Sequence, residues 1–508
     1  MFSARVAAST LSTKRLDADF YRPEFLETER ALLRHSVTQL GDIGHFFAGP
    51  FGSLLPSSLY QASGVPLFRV GNVGQFEVLP DDFAYLAPDV HAELKTSEVL
   101  PGDLLVVKAS VGEKICKVPD WISRANITQH IIGIRPNGRF DTDYVSAFLH
   151  SKFGVSQLQR YSLGSIIQYL GISDARSTYI LNLGTQAQKY IGEKVRQVER
   201  LRNWAKSLGE AMSDEFAFLV ANPLPSKLSW RASTFDLDSY RINPKQYDPV
   251  VLDLLDRARK SGTRLQPLGE IFSSRDLAGG ATPKGAQYFS RGVLFARVQN
   301  VKPLRLDLSD AVYIDQDADD ELARSRCAAN DIIFSITGYP GTASLVTAED
   351  MPVNINQHSV RFGIKEGVGA AYVCAALNSR FLKYQVDRLA IGGTRDALDY
   401  PSVCRLLIPR LDAETELAID ETARDYVAAL KLAHRLTVAA RALVEALIEG
   451  VIEEQQLVNA QQRLEAGDDQ PDRGILARLK ADGLDGDGPP LFADLDGLFD
   501  LLDQATQG

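Results

Sequence analysis

The chain has 508 residues, which predicts two to four domains at about 100 to 200 residues per domain. Hydrophobic residues make up 45%, charged residues 24% and aromatic residues 8%, a composition that excludes collagen-like, wholly disordered and coiled-coil-only chains. No apolar run approaches the roughly 18 to 20 residues of a membrane helix, and the first residues lack an apolar signal region. We therefore expect a cytoplasmic protein without membrane contact. The four cysteines are scattered without a CxxC pair, which predicts buried thiols rather than a disulfide framework or a zinc site.

The net charge of -10 lowers the expectation of indiscriminate DNA binding, because a phosphate-binding surface must be basic. Most of this charge lies in residues 466–508, which contain ten Asp and three Lys or Arg and have a net charge of -7. The rest of the chain is near neutral and can still present a basic cleft. The tail also carries Leu and Phe among its Asp residues, which predicts either a solvated end or a short amphipathic docking segment.

An internal repeat at an offset of 228 residues organises the chain. Residues 67–73 (LFRVGNV) match residues 295–301 (FARVQNV) at Arg, Val, Asn and Val. An Asn-Ile-x-Gln-His stretch follows in each copy, at residues 126–130 and 354–358. The same offset relates Gly41 to Gly269, residues 103–105 to 331–333, and residues 144–153 to 372–381. The chain is therefore predicted to hold two copies of one domain of about 150 residues, each followed by a helical segment.

Each copy is predicted to mix strands and helices. Short apolar runs with β-branched residues predict strands at residues 65–70, 104–107, 131–134, 293–298, 332–336 and 360–364. Apolar residues at helical spacing predict one helix over residues 143–158 and another over residues 370–387. The predicted fold class is α+β: two similar mixed α/β domains joined by two long antiparallel coiled-coil helices with pseudo-two-fold symmetry.

The connecting segments carry heptad seams. Residues 187–212 and 426–451 place apolar residues at alternating steps of 4 and 3, and Lys194 is a polar exception in the first seam. Each seam spans 26 residues without proline, about 39 Å of helix. An antiparallel pair of such helices holds two domains at opposite ends of a rod, and this length suits DNA half-sites about one turn (about 34 to 36 Å) apart.

Over roughly residues 15–460 the sequence resembles the specificity subunit of type I restriction-modification systems. The resemblance lies in a paired Leu-Gly-Asp/Glu-Ile opening at residues 40–43 and 268–271, an Arg-x-x-Asn strand, a Gly-Asp or Asn-Asp strand with a polar loop, the Asn-Ile-x-Gln-His stretch and the long helix after each copy. It implies that each domain is a target recognition domain for one half of a bipartite sequence in double-stranded DNA. It also implies that the paired helices dock DNA methyltransferase subunits, with a restriction or translocase subunit as a further candidate partner.

The predicted domain boundaries follow from the repeat, the seams and this resemblance. The acidic tail is not part of the family pattern. The boundaries are residues 1–183 for the first target recognition domain, 184–220 for the first connecting helix, 221–412 for the second target recognition domain, 413–465 for the second connecting helix and 466–508 for the tail.

Residues that recur in both copies cannot discriminate between two different half-sites, so they are scaffold residues or contacts to the DNA backbone. Arg69 and Asn72 recur as Arg297 and Asn300 at strand ends. They are interpreted either as phosphate or sugar contacts or as a satisfied structural pair. The repeated Gln-His pair is interpreted as a hydrogen-bonded scaffold turn.

Discrimination is expected from loop residues that differ between the copies. Lysine can donate to guanine O6 and N7, threonine can meet either base or a thymine methyl, and a Gly-rich loop carrying arginine fits a DNA groove. Phosphate contact and plain solvent exposure are the alternatives for each residue. The candidates are Lys108, Ser110 and Lys114 in the first copy and Lys284, Tyr288, Thr337, Tyr339 and Arg395 in the second.

The sequence shows no convincing enzyme motif. It has no GxxxxGK[ST] phosphate loop, no GxGxxG between a strand and a helix, and no HExxH. We therefore predict a non-catalytic DNA-binding subunit, without cofactor or metal, that directs partner methyltransferase and restriction subunits. The alternatives are a recognition subunit of a different phage-defence complex, an enzyme with an unrecognised active site, and a scaffold protein with no DNA function.

Overall fold

The computed structural model describes residues 11, 15, 17–50, 52, 54–80, 82–109, 112, 114–162, 169–225, 229–234, 237, 242–285, 287–392 and 395–507. The chain divides into two compact units, residues 1–202 with 431–508 and residues 203–430. Among the described residues, no helix has both the length and the apolar character that crossing a membrane requires.

The first unit contains the first copy of the repeated domain. Its strands are β1 (Val37–Gln39), β2 (Gly44–Ala48), β3 (Val65–Phe68), β4 (Ala84–Leu86), β5 (Glu98–Val99), β6 (Leu104–Val107), β7 (Ile115–Lys117), β8 (Ala125–Ile127), β9 (Ile131–Pro136) and β10 (Tyr179–Leu181). Its helices are α1 (Pro23–Leu32), α2 (Pro88–Glu93), α3 (Thr142–His150), α4 (Lys152–Tyr161) and α5 (Ile172–Arg176), followed by the long α6 (Thr185–Glu215), which the unit boundary divides.

Two four-stranded sheets form the body of this domain. One has the order β2-β9-β6-β7 and is antiparallel throughout, and the other has the order β4-β3-β8-β5 with β3 parallel to β8. Phe68 of the second sheet and Leu105 of the first are fully buried in one shared apolar cluster. β1 and β10 form a separate antiparallel pair.

The second unit repeats this arrangement. Its strands are β11 (Arg264–Pro267), β12 (Ala278–Gly279), β13 (Val293–Ala296), β14 (Val301–Lys302), β15 (Arg305–Leu306), β16 (Val312–Ile314), β17 (Ile332–Ser335), β18 (Ala343–Leu345), β19 (Val353–Ile355), β20 (Ser359–Phe362) and β21 (Leu407–Arg410). Its helices are α7 (Pro249–Lys260), α8 (Gln316–Glu321), α9 (Ala370–Asn378), α10 (Arg380–Leu389) and α11 (Tyr400–Cys404), followed by the long α12 (Ala413–Glu449), which the unit boundary also divides. The sheet order β12-β20-β17-β18 matches β2-β9-β6-β7 of the first unit, and β16-β13-β19 matches β4-β3-β8, with no strand equivalent to β5 in this sheet.

Most elements of the two copies start 228 residues apart, including α6 and α12. The repeat also explains the Gly-Asp and Asn-Asp motifs. Gly102 and Asn330 both adopt left-handed backbone, with φ of +87° and +65°, and glycine and asparagine are the residues that tolerate it best. The α+β fold class is thus confirmed in its mixed helix and sheet content and in its two long helices.

Two predictions from the sequence need correction. The single helices predicted over residues 143–158 and 370–387 are each two helices, α3 with α4 and α9 with α10. Ser151 and Ser379 interrupt them because each has extended backbone and caps the following helix, its side chain accepting from the amide of Gly154 or Leu382. Cys404 is only half-buried because it lies at the end of α11, whereas the other three cysteines are buried as predicted.

The heptad seams lie on the buried sides of α6 and α12. Ile191, Val198 and Leu201 are fully buried in the first seam, as are Ala440 and Val444 in the second. The second seam ends earlier than the sequence predicted. Gly450 adopts a left-handed φ of +74° and ends α12, so the seam position at residue 451 lies beyond the helix and is 40% exposed.

The tail is folded onto the first unit. It contains α13 (Glu454–Glu465), α14 (Gln470–Arg478), the short strands β22 (Leu479–Lys480) and β23 (Gly483–Leu484), and α15 (Leu495–Gln507). Lys194 of α6 donates to Asp472 of α14 at 2.7 Å, and both side chains are 1% exposed. Tyr190 donates to the same carboxylate oxygen at 2.6 Å. The polar seam position is thus the partner of a buried aspartate in the acidic tail.

A carboxylate holds the start of α3 in the first unit. Asp141 is the N-cap residue, and its Oδ1 accepts from the amide of Tyr144 at 3.1 Å. Its Oδ2 accepts from Arg196 of α6 at 3.0 Å. A side chain at Gly192 of α6 would place its Cβ 2.5 Å from this carboxylate. Glycine is therefore required at that turn of α6.

In the second unit the carboxylate and the glycine have exchanged places. The N-cap of α9 is Gly369, and the amide of Tyr372 donates instead to Asp420 of α12 at 2.9 Å. Arg424 donates to the other oxygen of Asp420 at 2.7 Å. A Cβ at Gly369 would lie 2.4 Å from Asp420. The equivalent amide and the equivalent arginine thus donate to a carboxylate in both units. It comes from the N-cap of α3 in the first unit and from the long helix α12 in the second.

This exchange predicts compensation between two substitutions. Asp420→Gly should lower the free energy of unfolding by about 1 to 2 kcal/mol, because Tyr372 loses its capping acceptor and Arg424 its partner. Adding Gly369→Asp should recover most of the loss, since it recreates the arrangement of the first unit. Gly369→Asp alone should be the least stable variant, because it sets two carboxylates against each other. Thermal unfolding of the three variants measures this, and a double variant no more stable than Asp420→Gly would contradict it.

Candidate nucleic-acid interface

The parallel pair β3–β8 brings two polar segments to one edge of its sheet. Phe68 pairs with Ile127, so Arg69 and the segment 128–130 leave the strand ends side by side. Both line a cleft of about 400 Å³. We call five residues that line it the first edge site: Tyr60, Arg69, Asp82, Gln129 and His130.

The second unit has the same five residue types at an offset of 228. The parallel pair β13–β19 aligns Ala296 with Ile355, so the segments beginning at Arg297 and Asn356 again follow neighbouring strand ends. The second edge site is Tyr288, Arg297, Asp310, Gln357 and His358.

A glycine permits each edge to form. A Cβ at Gly49 would lie 2.1 Å from the carbonyl oxygen of Ile127, and one at Gly280 would lie 2.3 Å from that of Ile355. The chain therefore passes directly over the end of the parallel strand before it forms the loop that carries Tyr60 or Tyr288. Tyr288 is 46% exposed and its ring stacks on Phe295 at 5.9 Å.

Each edge site contains an arginine–aspartate ion pair. Nη2 of Arg69 lies 2.8 Å from Oδ2 of Asp82, and Nη2 of Arg297 lies 3.1 Å from Oδ2 of Asp310. Each guanidinium also donates to the backbone carbonyl of the same aspartate. In the second site, Gln299 donates to Asp310 at 2.8 Å, and this hydrogen bond is the main cause that lowers the pKa of that carboxyl.

The glutamine and histidine of each site contact each other at the surface. Nε2 of Gln129 lies 3.1 Å from Nε2 of His130, and the equivalent atoms of Gln357 and His358 lie 3.3 Å apart. These side chains are half-buried or exposed. The asparagine that opens each motif is different, since Asn126 is fully buried and donates to the carbonyl of Leu94 at 3.0 Å. The Asn-Ile-x-Gln-His motif therefore combines a buried structural asparagine with a glutamine and a histidine that line the cleft.

The sequence left two interpretations of Asn72 and Asn300, a DNA-backbone contact or a satisfied structural pair, and their positions favour the second. Asn72 is 2% exposed, and its amide accepts from the backbone of Arg69 at 2.9 Å and donates to Leu79 at 3.0 Å. Asn300 is fully buried with equivalent contacts to Arg297 and Asp307. Both amides hold the turn after the strand, which corrects the two candidates to scaffold residues.

The candidate lysines of the first copy lie beside the first edge site. The amide of Lys108 donates to the carbonyl of His130 at 2.9 Å, and its ammonium lies 5.3 Å from the ring centroid of Tyr169. Lys108 is only 6% exposed. The ammonium of Lys114 lies 3.5 Å from the carbonyl of Val70, which lines the cleft. Ser110 lies outside the described residues.

The candidates of the second copy lie on two loops near the second edge site. Residue 336 donates its amide to the carbonyl of His358 at 2.9 Å, as Lys108 does in the first copy. Thr337, the next residue, forms a β-bridge with Ala397 and so brings the Arg395 loop alongside. Tyr339 is 86% exposed, and Arg395 and Lys284 are also exposed. Lys284 follows Thr282, whose hydroxyl donates to Gln357 at 2.5 Å.

Each edge site thus combines one invariant group with one variable loop. The invariant group offers arginine, glutamine, histidine and tyrosine donors that suit phosphate or sugar oxygens. The variable loop is lysine-bearing in the first copy and carries Thr337 and Tyr339 in the second. Sequence analysis missed the aspartates, Tyr60 and the exposure of the Gln-His pairs. The recurrence of all five residue types at one offset was the available signal.

Three solved structures that are similar to this chain come from type I restriction-modification systems. No family model matches the chain, and no curated protein sequence matches it. The type I restriction-modification S subunit from M. genitalium has 12% identity and a TM-score of 0.41, over 82% of this chain and 96% of that chain. The HsdS subunit from Thermoanaerobacter tengcongensis has 15% identity and a TM-score of 0.29, over 82% and 97%. A structure of a type I R-M system complex has 15% identity and a TM-score of 0.26, over 84% and 97%.

Proposed function

We propose that this chain is a non-catalytic DNA-recognition subunit that reads a bipartite target, one half with each domain. The observation that carries the proposal is the duplication of a whole domain with identical edge sites and different neighbouring loops. Identical residues supply the same backbone contacts twice, whereas different loops read different bases. The repeat and the sequence resemblance together support this proposal.

The proposed partners follow from that resemblance. Methyltransferase subunits dock on the paired long helices and supply the chemistry, and a restriction or translocase subunit completes the assembly. The sequence signature of a type I restriction-modification specificity subunit supports this assignment, and so do the two long helices that follow the two domains.

Selection from a randomised duplex library tests the function directly. The full chain, with bound duplexes sequenced, should enrich two short half-sites separated by a spacer of fixed length and free sequence. A single continuous motif, or no enrichment, would contradict the bipartite reading.

Loop substitutions should alter one half-site at a time. Replacing Lys108 and Lys114 by alanine should relax the preference at one half only, by about 1 to 3 kcal/mol for each lost bidentate base contact. Tyr339→Ala is the matched change in the other copy and should affect only the other half. The same library selection measures both variants. An equal loss on every sequence would reassign the lysines to phosphate contacts, and thermal unfolding verifies that each variant is folded.

A further inference from the structure

We infer that the aspartate of each edge site is a displaceable counter-ion, which holds the arginine in the free protein and yields it to a DNA phosphate on binding. This inference rests on the proposed function and adds a residue-level step to it. The arginine is then a sequence-independent contact in both halves, and the aspartate sets how readily that contact forms.

The arginine–aspartate pair occurs at equivalent positions of both copies. Between residues 76–83 (FEVLPDDF) and the equivalent residues 304–311 (LRLDLSDA), the only identity is the aspartate that pairs with the arginine, Asp82 or Asp310. The rest of this segment has diverged. The arginine–aspartate contact is therefore a shared requirement of two domains whose surrounding loops differ.

Both ion pairs are in contact with solvent. The side chain of Asp82 is 92% exposed and that of Asp310 is 52% exposed, while their arginines are 35% and 23% exposed. An ion pair in contact with water is weak, because both charges are solvated when it opens. A phosphate arriving at the cleft can therefore compete with the carboxylate.

Each of the two arginines has one guanidinium nitrogen without an acceptor. The Nε atoms of Arg69 and Arg297 are both buried and donate no hydrogen bond. The closed pair therefore leaves the same donor of the guanidinium without an acceptor in each unit. A phosphate offers several oxygens and can accept two parallel bonds from one guanidinium, so exchange of partner improves the hydrogen bonding of the arginine.

Asp82→Asn tests the counter-ion role in the first domain. The change keeps the shape of the side chain and removes the charge that competes with phosphate. We expect the full chain to bind a 30-base-pair duplex of mixed sequence about threefold more tightly, the size expected of one exposed ion pair. Fluorescence anisotropy at low salt measures this affinity.

The control pair lies in the folded tail. Arg478 and Asp485 form an ion pair at 2.5 Å with 33% and 47% exposed side chains, and neither residue belongs to an edge site. Asp485→Asn changes the net charge of the chain by the same amount as Asp82→Asn, but outside the edge sites. If the gain in affinity of Asp82→Asn is local, Asp485→Asn should leave the affinity for DNA unchanged. An equal gain in affinity from both changes would show that the effect comes from the net charge of the chain, and it would overturn the inference.

Arg69→Ala tests the contact itself, with Arg478→Ala as its control. Loss of one phosphate contact should reduce the slope of log affinity against log salt by about 0.9 and weaken binding to all sequences alike. An unchanged slope, or an Asp82→Asn variant that binds no more tightly than wild type, would show that the pair only fastens the loop. If the wild-type chain binds no duplex at all, the proposed function fails, and the counter-ion role fails with it. Binding by wild type with no effect of these variants rejects the counter-ion role alone.

Discussion

Asp472→Ala should destabilise the first unit by about 3 to 5 kcal/mol, because it leaves the buried ammonium of Lys194 without a partner. Both side chains are 1% exposed, so water cannot take over the role of the carboxylate. Tyr190 loses its acceptor in the same step. Burial and the nearby carboxylate raise the pKa of this phenol well above its usual value, so the hydroxyl remains a donor. Urea unfolding followed by circular dichroism measures the loss.

Two further variants separate charge from packing. Asp472→Asn keeps an oxygen for Tyr190 but still leaves the Lys194 charge uncompensated, so it should also be strongly destabilising. The double variant Lys194→Met with Asp472→Leu removes both charges and should recover most of the loss, apart from about 1 to 3 kcal/mol for the buried Tyr190 hydroxyl, which is left without an acceptor. An Asp472→Ala variant within about 1 kcal/mol of wild type would mean that α14 does not dock on α6 in solution.

His150 should make the first unit acid-sensitive. Its ring stacks on Phe76 at 3.7 Å, and Nδ1 donates to the carbonyl of Ser146 at 2.9 Å. Burial lowers the pKa of His150 to about 3, and the positive charges of Arg441 and Arg202 add to the effect. The unfolded chain binds this proton below about pH 6.5, whereas the folded chain resists it until about pH 3. The free energy of unfolding therefore keeps its full value with respect to this group above about pH 6.5. It decreases as the pH drops, by about 3 kcal/mol at pH 4.

The replacement His150→Gln isolates this contribution. Glutamine does not titrate, so the difference in unfolding free energy between wild type and variant should shift with pH by at most about 1.4 kcal/mol per unit. Denaturation series at pH 7, 5.5 and 4 measure the difference, and parallel curves for wild type and His150→Gln would disprove the assignment.

The duplicated fold could be predicted from the sequence at positions where both copies use the same residue type to make an equivalent hydrogen bond. Tyr144 donates to the carbonyl of Leu181 at 2.7 Å, and Tyr372 donates equivalently to that of Pro409 at 2.5 Å. Such residues recur at a fixed offset and reveal the duplication without any structure. The interruptions at Ser151 and Ser379 were missed because apolar periodicity continues across them, whereas the cap depends on local backbone geometry.

The exchange between Asp141 and Asp420 could not be found by comparing equivalent positions. Each aspartate is aligned with a glycine, so the sequence shows two differences where the structure shows one conserved contact. The edge sites were missed for a related reason. Arg69 and His130 are 61 residues apart in the sequence, and the parallel pairing of β3 with β8 brings their segments together. Parallel pairing is a tertiary property that local patterns do not contain.

The chain segments that make up each unit determine the order in which the two units can finish folding during translation. Residues 203–430 form one continuous unit, whereas the first unit also needs residues from 431 onward. At about 5 to 20 residues per second, translation of the intervening segment takes roughly 10 to 50 s. The domain that emerges first is therefore finished last. Throughout that interval the side of α6 that carries Tyr190 and Lys194 lacks Asp472, its partner in the tail. We expect a nascent chain stalled before residue 431 to be bound by chaperones through that side of the helix.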